Sequence, residues 1–154
     1  MKRFSELVAE SLREVDEIFP WDLAERLPVS PPLLLDVREP QEFEAMHIEG
    51  SINVPRGILE SACEYGYEET EPRLASARDR EIVVICRSGN RSALAAHTLG
   101  QLGFGSVVNL KTGLRGWNDF EQPLVDSGGR RVALEEADRY FTPRLRPEQR
   151  DPAG

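Results

Sequence analysis

Cysteine is scarce in this chain of 154 residues: only Cys63 and Cys86 occur, 23 positions apart. Neither belongs to a CxxC pair or sits beside paired histidines, so no zinc site and no disulfide framework is indicated. Long apolar runs are missing as well, and none approaches the length that spans a bilayer. Positive charge is in deficit, with 19 Lys and Arg against 27 Asp and Glu and a formal net charge of −8. That balance disfavours nucleic acid as a partner, because bulk electrostatics would repel it. An anionic substrate would have to be held locally, against the overall field. The start Met1-Lys2-Arg3-Phe4 carries two positive charges, but Glu6, Glu10 and Glu14 follow where a signal peptide needs an apolar core. The expectation is a soluble cytoplasmic protein with no membrane partner, of a length suited to one domain with a real core.

What the chain does contain is an alternation of strand and helix patterns. Phe4, Leu7, Val8, Leu12, Val15 and Phe19 recur at helical spacing, with Ser5 as candidate cap, until Pro20 breaks the pattern. The stretch from Val15 to Phe19 fits either the end of that helix or a short edge strand. A short helix is predicted over Asp22 to Leu27, and a helical turn over Glu39 to Glu44. Leu33-Leu34-Leu35-Asp36-Val37 reads as a strand buried on both faces. Ser51 to Val54 is a short strand, and a helix is expected from Pro72 to Ala77. Strand Ile82 to Ile85, helix Ser92 to Leu102 with Gly103 closing it, and strand Ser106 to Leu110 follow. Thr112-Gly113 then turns into a helix from Leu114 to Phe120. This order implies an α/β fold: a small doubly wound parallel sheet with helices on both faces. The organisation reads as an amphipathic N-terminal helix over 1–14, a domain over 15–125 and a C-terminal extension over 126–154. The extension holds one weak helix, Val132 to Phe141, and a tail of a dozen residues expected to be flexible.

Chemistry concentrates at Cys86-Arg87-Ser88-Gly89-Asn90-Arg91-Ser92. A cysteine at the end of a buried strand, followed by a polar loop and a helix, lies where α/β sheets carry their reactive groups. Loop N–H groups and the helix N-terminus converge there with partial positive charge and favour a thiolate and an anion beside it. Ser88 and Gly89 are small enough for the backbone to curl around the sulfur. Arg87 and Arg91 are candidates for pairing with the oxygens of a polyoxyanion. Ser92 is expected to cap the following helix, with binding as its other candidate role.

Four blocks resemble the rhodanese homology domain in order and spacing. They are Leu35-Asp36-Val37-Arg38-Glu39, Phe43 through Pro55 with His47-Ile48-Glu49-Gly50 inside it, the Cys86 loop, and Gly113-Leu114-Arg115-Gly116-Trp117. The resemblance covers roughly residues 15 to 125. It implies a sulfurtransferase that carries a sulfane sulfur as a persulfide on Cys86, with no cofactor or metal. A small sulfur-containing anion such as thiosulfate loads the cysteine, and cyanide, a thiol or a protein thiol removes the sulfur. Cysteine phosphatases of similar fold use a loop one residue longer, with arginine six positions after the cysteine. Here Arg91 stands five positions after Cys86 and Ser92 stands at six, which favours sulfur over phosphate. A non-enzymatic carrier or partner-binding module is the other alternative, and the intact loop speaks against it.

The remaining candidates have structural readings. Asp36 and Arg38 are expected to order the loops around the site, and His47 to hydrogen-bond locally. Arg56 is a lesser candidate for an anion contact at the mouth. Cys63 stands beside acids that would raise its pKa, as a bystander thiol. Trp117 is expected to anchor the core. Thr112-Gly113 and Glu121-Gln122-Pro123 depart from the family pattern, where glycine is common. The acidic 61–71 segment would disfavour an anionic donor if it lay near the site.

Overall fold

The computed structural model describes residues 1–154 and assembles the predicted alternation into one sheet. Its strands are β1 (Asp16–Ile18), β2 (Leu33–Asp36), β3 (Ile52–Asn53), β4 (Glu81–Ile85) and β5 (Ser106–Leu110). They lie in the order β1-β5-β4-β2-β3, every neighbouring pair parallel. The helices are α1 (Phe4–Leu12), α2 (Pro20–Arg26), α3 (Pro40–Ala45), α4 (Leu59–Ala62), α5 (Pro72–Ala75), α6 (Asn90–Gln101), α7 (Gly113–Asp119) and α8 (Leu134–Phe141).

The two faces of the sheet follow from the period-two alternation of side chains along a strand. Ile82, Val84 and Cys86 face one core, with Leu33, Leu35, Val37 and the α6 residues Ala95, Ala96 and Leu99. Val83 and Ile85 face the other, with Leu34, Leu110, Leu23 of α2, and Leu114 and Trp117 of α7. Trp117 is the expected anchor: it is 1% exposed and its Nε1 donates to the Pro123 carbonyl at 3.0 Å. The extension joins this second core, since Val132, Ala137 and Phe141 are buried in it. The residues after Phe141 are exposed.

Several local expectations are revised. Pro20 opens α2 rather than merely ending α1; at the first helical position its missing N–H is no loss. The ambiguous Val15–Phe19 stretch is an edge strand, Asp16 pairing with Val108. Ser5 is no cap: Arg3 is the N-cap of α1, and Glu6 accepts the Arg3 N–H at 3.0 Å. The helix after the cysteine loop starts two residues early, at Asn90, because Gly89 adopts φ +92° as its N-cap. Ser92 therefore sits inside the first turn and does not cap. The two departures from the family pattern carry the chain's only non-glycine residues with positive φ, Thr112 at 65° and Glu121 at 57°.

Candidate active site

Cys86 follows directly on β4 and is 1% exposed. Its Sγ accepts the Gly89 N–H at 3.1 Å and the Ser92 N–H at 3.3 Å, and lies 3.1 Å from Ser92 Oγ. Ser92, expected as a cap, is instead a direct sulfur contact through both backbone and hydroxyl.

The curl that aims these N–H groups inward is held from outside by its carbonyls. The first residues of α7 bond the loop, Leu114 N–H to the Cys86 carbonyl and Arg115 N–H to the Arg87 carbonyl, each at 2.9 Å. This approach requires Gly113, where a Cβ would lie 2.5 Å from the Cys86 carbonyl oxygen. Gly89 is similarly confined, its missing Cβ facing Thr112 N at 3.2 Å. Asn109 Nδ2 donates to the Gly89 carbonyl at 3.0 Å and to Glu17 Oε2 at 3.2 Å. Asn109 was not singled out by its sequence, although a polar residue in Val107-Val108-Asn109-Leu110 is the one signal that marks it. Ser88 in the loop and Asn90, the first residue of α6, are exposed.

Both loop arginines, the candidates for pairing with an oxyanion, have partners within the protein. Arg87 Nη2 donates to the Phe141 carbonyl at the end of α8, at 2.9 Å. Arg91 forms a two-pronged pair with Glu42 of α3, at 2.9 and 3.0 Å. Burial works against charge on Glu42. The Arg91 bonds, the Glu39 N–H and the charges of Arg91 and Arg38 outweigh it and hold the carboxyl below its usual range. The hydrogen bonds to Glu42 raise the Arg91 pKa against burial, and the charges of Glu42, Cys86 and Asp36 act in the same direction. Arg91 is thus within electrostatic reach of the sulfur while its fork is occupied.

Asp36 and Arg38 sit beneath the site as a fully buried pair. Arg38 Nε lies 3.0 and 3.2 Å from the two Asp36 carboxylate oxygens, and its Nη2 is 2.8 Å from Oδ2. The same Nη2 donates to the Met46 carbonyl at 2.7 Å, tying the end of β2 to the end of α3. Arg38 Nη1 and Asn109 Oδ1 are buried without a protein partner.

The other candidates lie apart from the sulfur. His47 Nδ1 is 2.7 Å from the Phe43 carbonyl and its ring stacks on Phe43, with centroids 3.8 Å apart. Arg56 pairs with Glu60 at 3.1 Å and reaches Thr98 Oγ1 at 3.3 Å. The Cys63 thiol is pushed up to about 11, first by burial, with Glu60 and Glu64 adding to it and Arg78 opposing. Burial, not the neighbouring acids, is therefore the main cause.

A cavity of about 620 Å³ adjoins the loop. Glu42, Ala45 and Met46 form one side, Arg87 the loop side, and residues of α8 and the segment after it the third. It meets both loop arginines, Arg87 directly and Arg91 through Glu42. The 61–71 segment and Arg56 contribute nothing to its lining.

A family model described as "Rhodanese-like domain" matches residues 20–120. A relative from Allochromatium vinosum named "Sulfurtransferase" is 32% identical over 117 residues, 75% of this chain and 99% of that protein. One from Bacillus subtilis named "Putative sulfur carrier protein YrkF" is 39% identical over 85 residues, 54% of this chain. The match spans only 40% of that relative's length. Among solved structures, a Rhodopseudomonas palustris protein described as of unknown function, "Possible Tyrosine Phosphatase", has a TM-score of 0.72 at 27% identity. That likeness covers 80% of this chain and 94% of the other.

Proposed function

The chain belongs to the rhodanese-like domain family, and on that premise we propose that it transfers sulfane sulfur through a persulfide on Cys86. The Cys86 thiolate attacks the outer sulfur of thiosulfate. The S–S bond breaks, sulfite leaves with the electron pair, and Cys86 carries a persulfide anion. A thiophilic acceptor, cyanide or a thiolate, then attacks the terminal sulfur and returns Cys86 as thiolate. No proton has to be removed by a neighbouring base in either step.

The observation that carries this reading is the convergence of the Gly89 N–H, the Ser92 N–H and the Ser92 hydroxyl on one sulfur. Such donors suit an anionic sulfur and its one-atom extension. Asp36 and Arg38 serve as support, holding β2 against α3 beneath the loop. For the oxyanion of the donor, Arg87 keeps guanidinium nitrogens beyond the one bonded to Phe141, whereas Arg91 contributes its charge from within the Glu42 pair.

The likeness to a "Possible Tyrosine Phosphatase" gives phosphoryl chemistry a claim to be tested. Against it stands the loop count: Arg91 is five positions after Cys86, and position six is Ser92. Intact-mass measurement after incubation with thiosulfate separates the two. A gain of one sulfur mass on the Cys86 peptide supports transfer. No adduct, together with hydrolysis of an aryl phosphate, overturns it.

A further inference from the structure

Resting on the persulfide reading of Cys86, we propose that the end of α8 orients Arg87 for the anionic donor, with Asp138 and Phe141 as the positioning residues. The helix, Leu134–Phe141, lies beyond residues 20–120, the stretch that the family model matches. The device is therefore a feature of the extension rather than of the matched domain.

Arg87 is held at both ends. The Arg115 N–H of α7 donates to its carbonyl, and its own Nη2 donates to the Phe141 carbonyl, each at 2.9 Å. The two helices are latched to each other, Asn118 Nδ2 donating to Asp138 Oδ1 at 2.6 Å. Phe141, 2% exposed, seats the last turn of α8 in the core that also holds Leu114 and Trp117 of α7. The cysteine loop, α7 and α8 thus close a ring of contacts around one long side chain. The rotamer freedom that a free arginine gives up on binding an anion has already been given up in the fold.

The nature of the acceptor decides what Arg87 can still do. A carbonyl at a helix C-terminus carries partial negative charge, enough to orient a guanidinium but not to cancel it. Arg91 differs, because its partner is the Glu42 carboxylate. Arg87 enters none of the chain's ion pairs. Its bond to Phe141 uses one of the five N–H donors of the fork. Of the two loop arginines, Arg87 is therefore the one that is both oriented and still cationic. It stands one residue from Cys86, in a chain whose net charge is −8. Asp138 and Phe141 touch neither donor nor sulfur; they act through Arg87.

The test uses the two halves of the reaction. With persulfide transfer, kcat/KM for thiosulfate reports loading of Cys86, and kcat/KM for cyanide reports discharge. Asp138→Ala, at an exposed position, breaks the latch and should lower the thiosulfate value about threefold or more. The cyanide value should stay within about 1.5-fold of wild type. Loss of a negative charge by itself would favour an anion, which is the opposite direction. Asp138→Asn keeps an acceptor for Asn118 and should retain the thiosulfate value. Phe141→Ala loosens the same helix end from the core and should reproduce the pattern of Asp138→Ala. Arg87→Ala should lower the thiosulfate value about tenfold, and adding Asp138→Ala to it should change nothing further. Additive losses in that double variant would overturn the assignment, as would equal losses for thiosulfate and cyanide. A faster thiosulfate reaction in Asp138→Ala, or an unchanged one in both Asp138→Ala and Phe141→Ala, would overturn it too. Mass measurement of thiosulfate loading in wild type separates the two levels. If Cys86 loads but the variants fail this pattern, only the role of α8 falls. If Cys86 never loads, the persulfide reading falls and the role of α8 with it.

Discussion

The two cysteines of this chain lie in the same core, 0% and 1% exposed, yet their surroundings are opposite. The Cys86 sulfur receives two backbone N–H groups and faces a hydroxyl. The Cys63 sulfur receives none; Arg78, whose charge acts on this thiol, donates instead to the Cys63 carbonyl at 3.0 Å. Burial alone therefore does not make a thiol inert or reactive. What differs is whether the chain turns its donors toward the sulfur, and that depends on a loop whose carbonyls are anchored elsewhere.

The largest expected effect separates the two thiols outright. Cys86→Ser should abolish thiosulfate-to-cyanide transfer, and Cys63→Ser should leave it nearly intact; loss of activity in the Cys63 variant alone would break the comparison. Alkylation mapped by peptide mass extends the contrast. With its pKa at about 11, Cys63 is thiolate to only about one part in a thousand at pH 8, so labelling should fall on Cys86.

The buried Asp36–Arg38 pair is next in size. Arg38→Ala leaves the Asp36 carboxylate buried without its partner, and should cost about 3–5 kcal/mol in urea unfolding. A loss below about 1 kcal/mol would show the pair to be dispensable. A smaller effect is expected at Asn109. Asn109→Ala removes the tether on the Gly89 carbonyl and should cost about 1–3 kcal/mol of stability while lowering transfer more than it changes the fold by circular dichroism. An unchanged transfer rate would mean that α7 alone holds the loop.

Cys63 also predicts an alkaline slope. Its folded pKa is raised from 9.0 to about 11, so the native state keeps a proton that the unfolded chain has lost. The associated stability is present below about pH 9 and lost as pH rises through 11. Cys63→Ala should flatten that slope; an identical slope in wild type and variant would assign it to other groups. The smallest effect is at Glu121, at φ 57°. Glu121→Gly relieves a left-handed conformation and should raise stability by about 0.5–1 kcal/mol in thermal unfolding, with transfer unchanged.

Much of the fold was legible because its signals are local. Continuous apolar runs such as Leu33-Leu34-Leu35 and Ile82-Val83-Val84-Ile85 announce strands covered on both faces, and they proved so. The position of the candidate cysteine was legible too, since a strand end followed by glycine and a helix is a sequential pattern. The strand at Asp16–Ile18 was not, because three residues with two exposed side chains carry no periodicity of their own. Pairing with β5, far along the chain, decides it. The partners of the loop arginines were equally hidden. Arg87 meets Phe141, 54 positions away, and Arg91 meets Glu42, 49 positions away.

Residue order alone determined the alternating architecture, the place of Cys86 at a strand end and the five-residue step to Arg91, because each depends on neighbours in the chain. Only the tertiary structure decided which donors reach the sulfur, which carboxylate occupies Arg91, and that the C-terminal extension walls the cavity. Those are distances between segments remote in sequence. Packing of α7 and α8 against one face of the sheet sets them, and no local propensity encodes them.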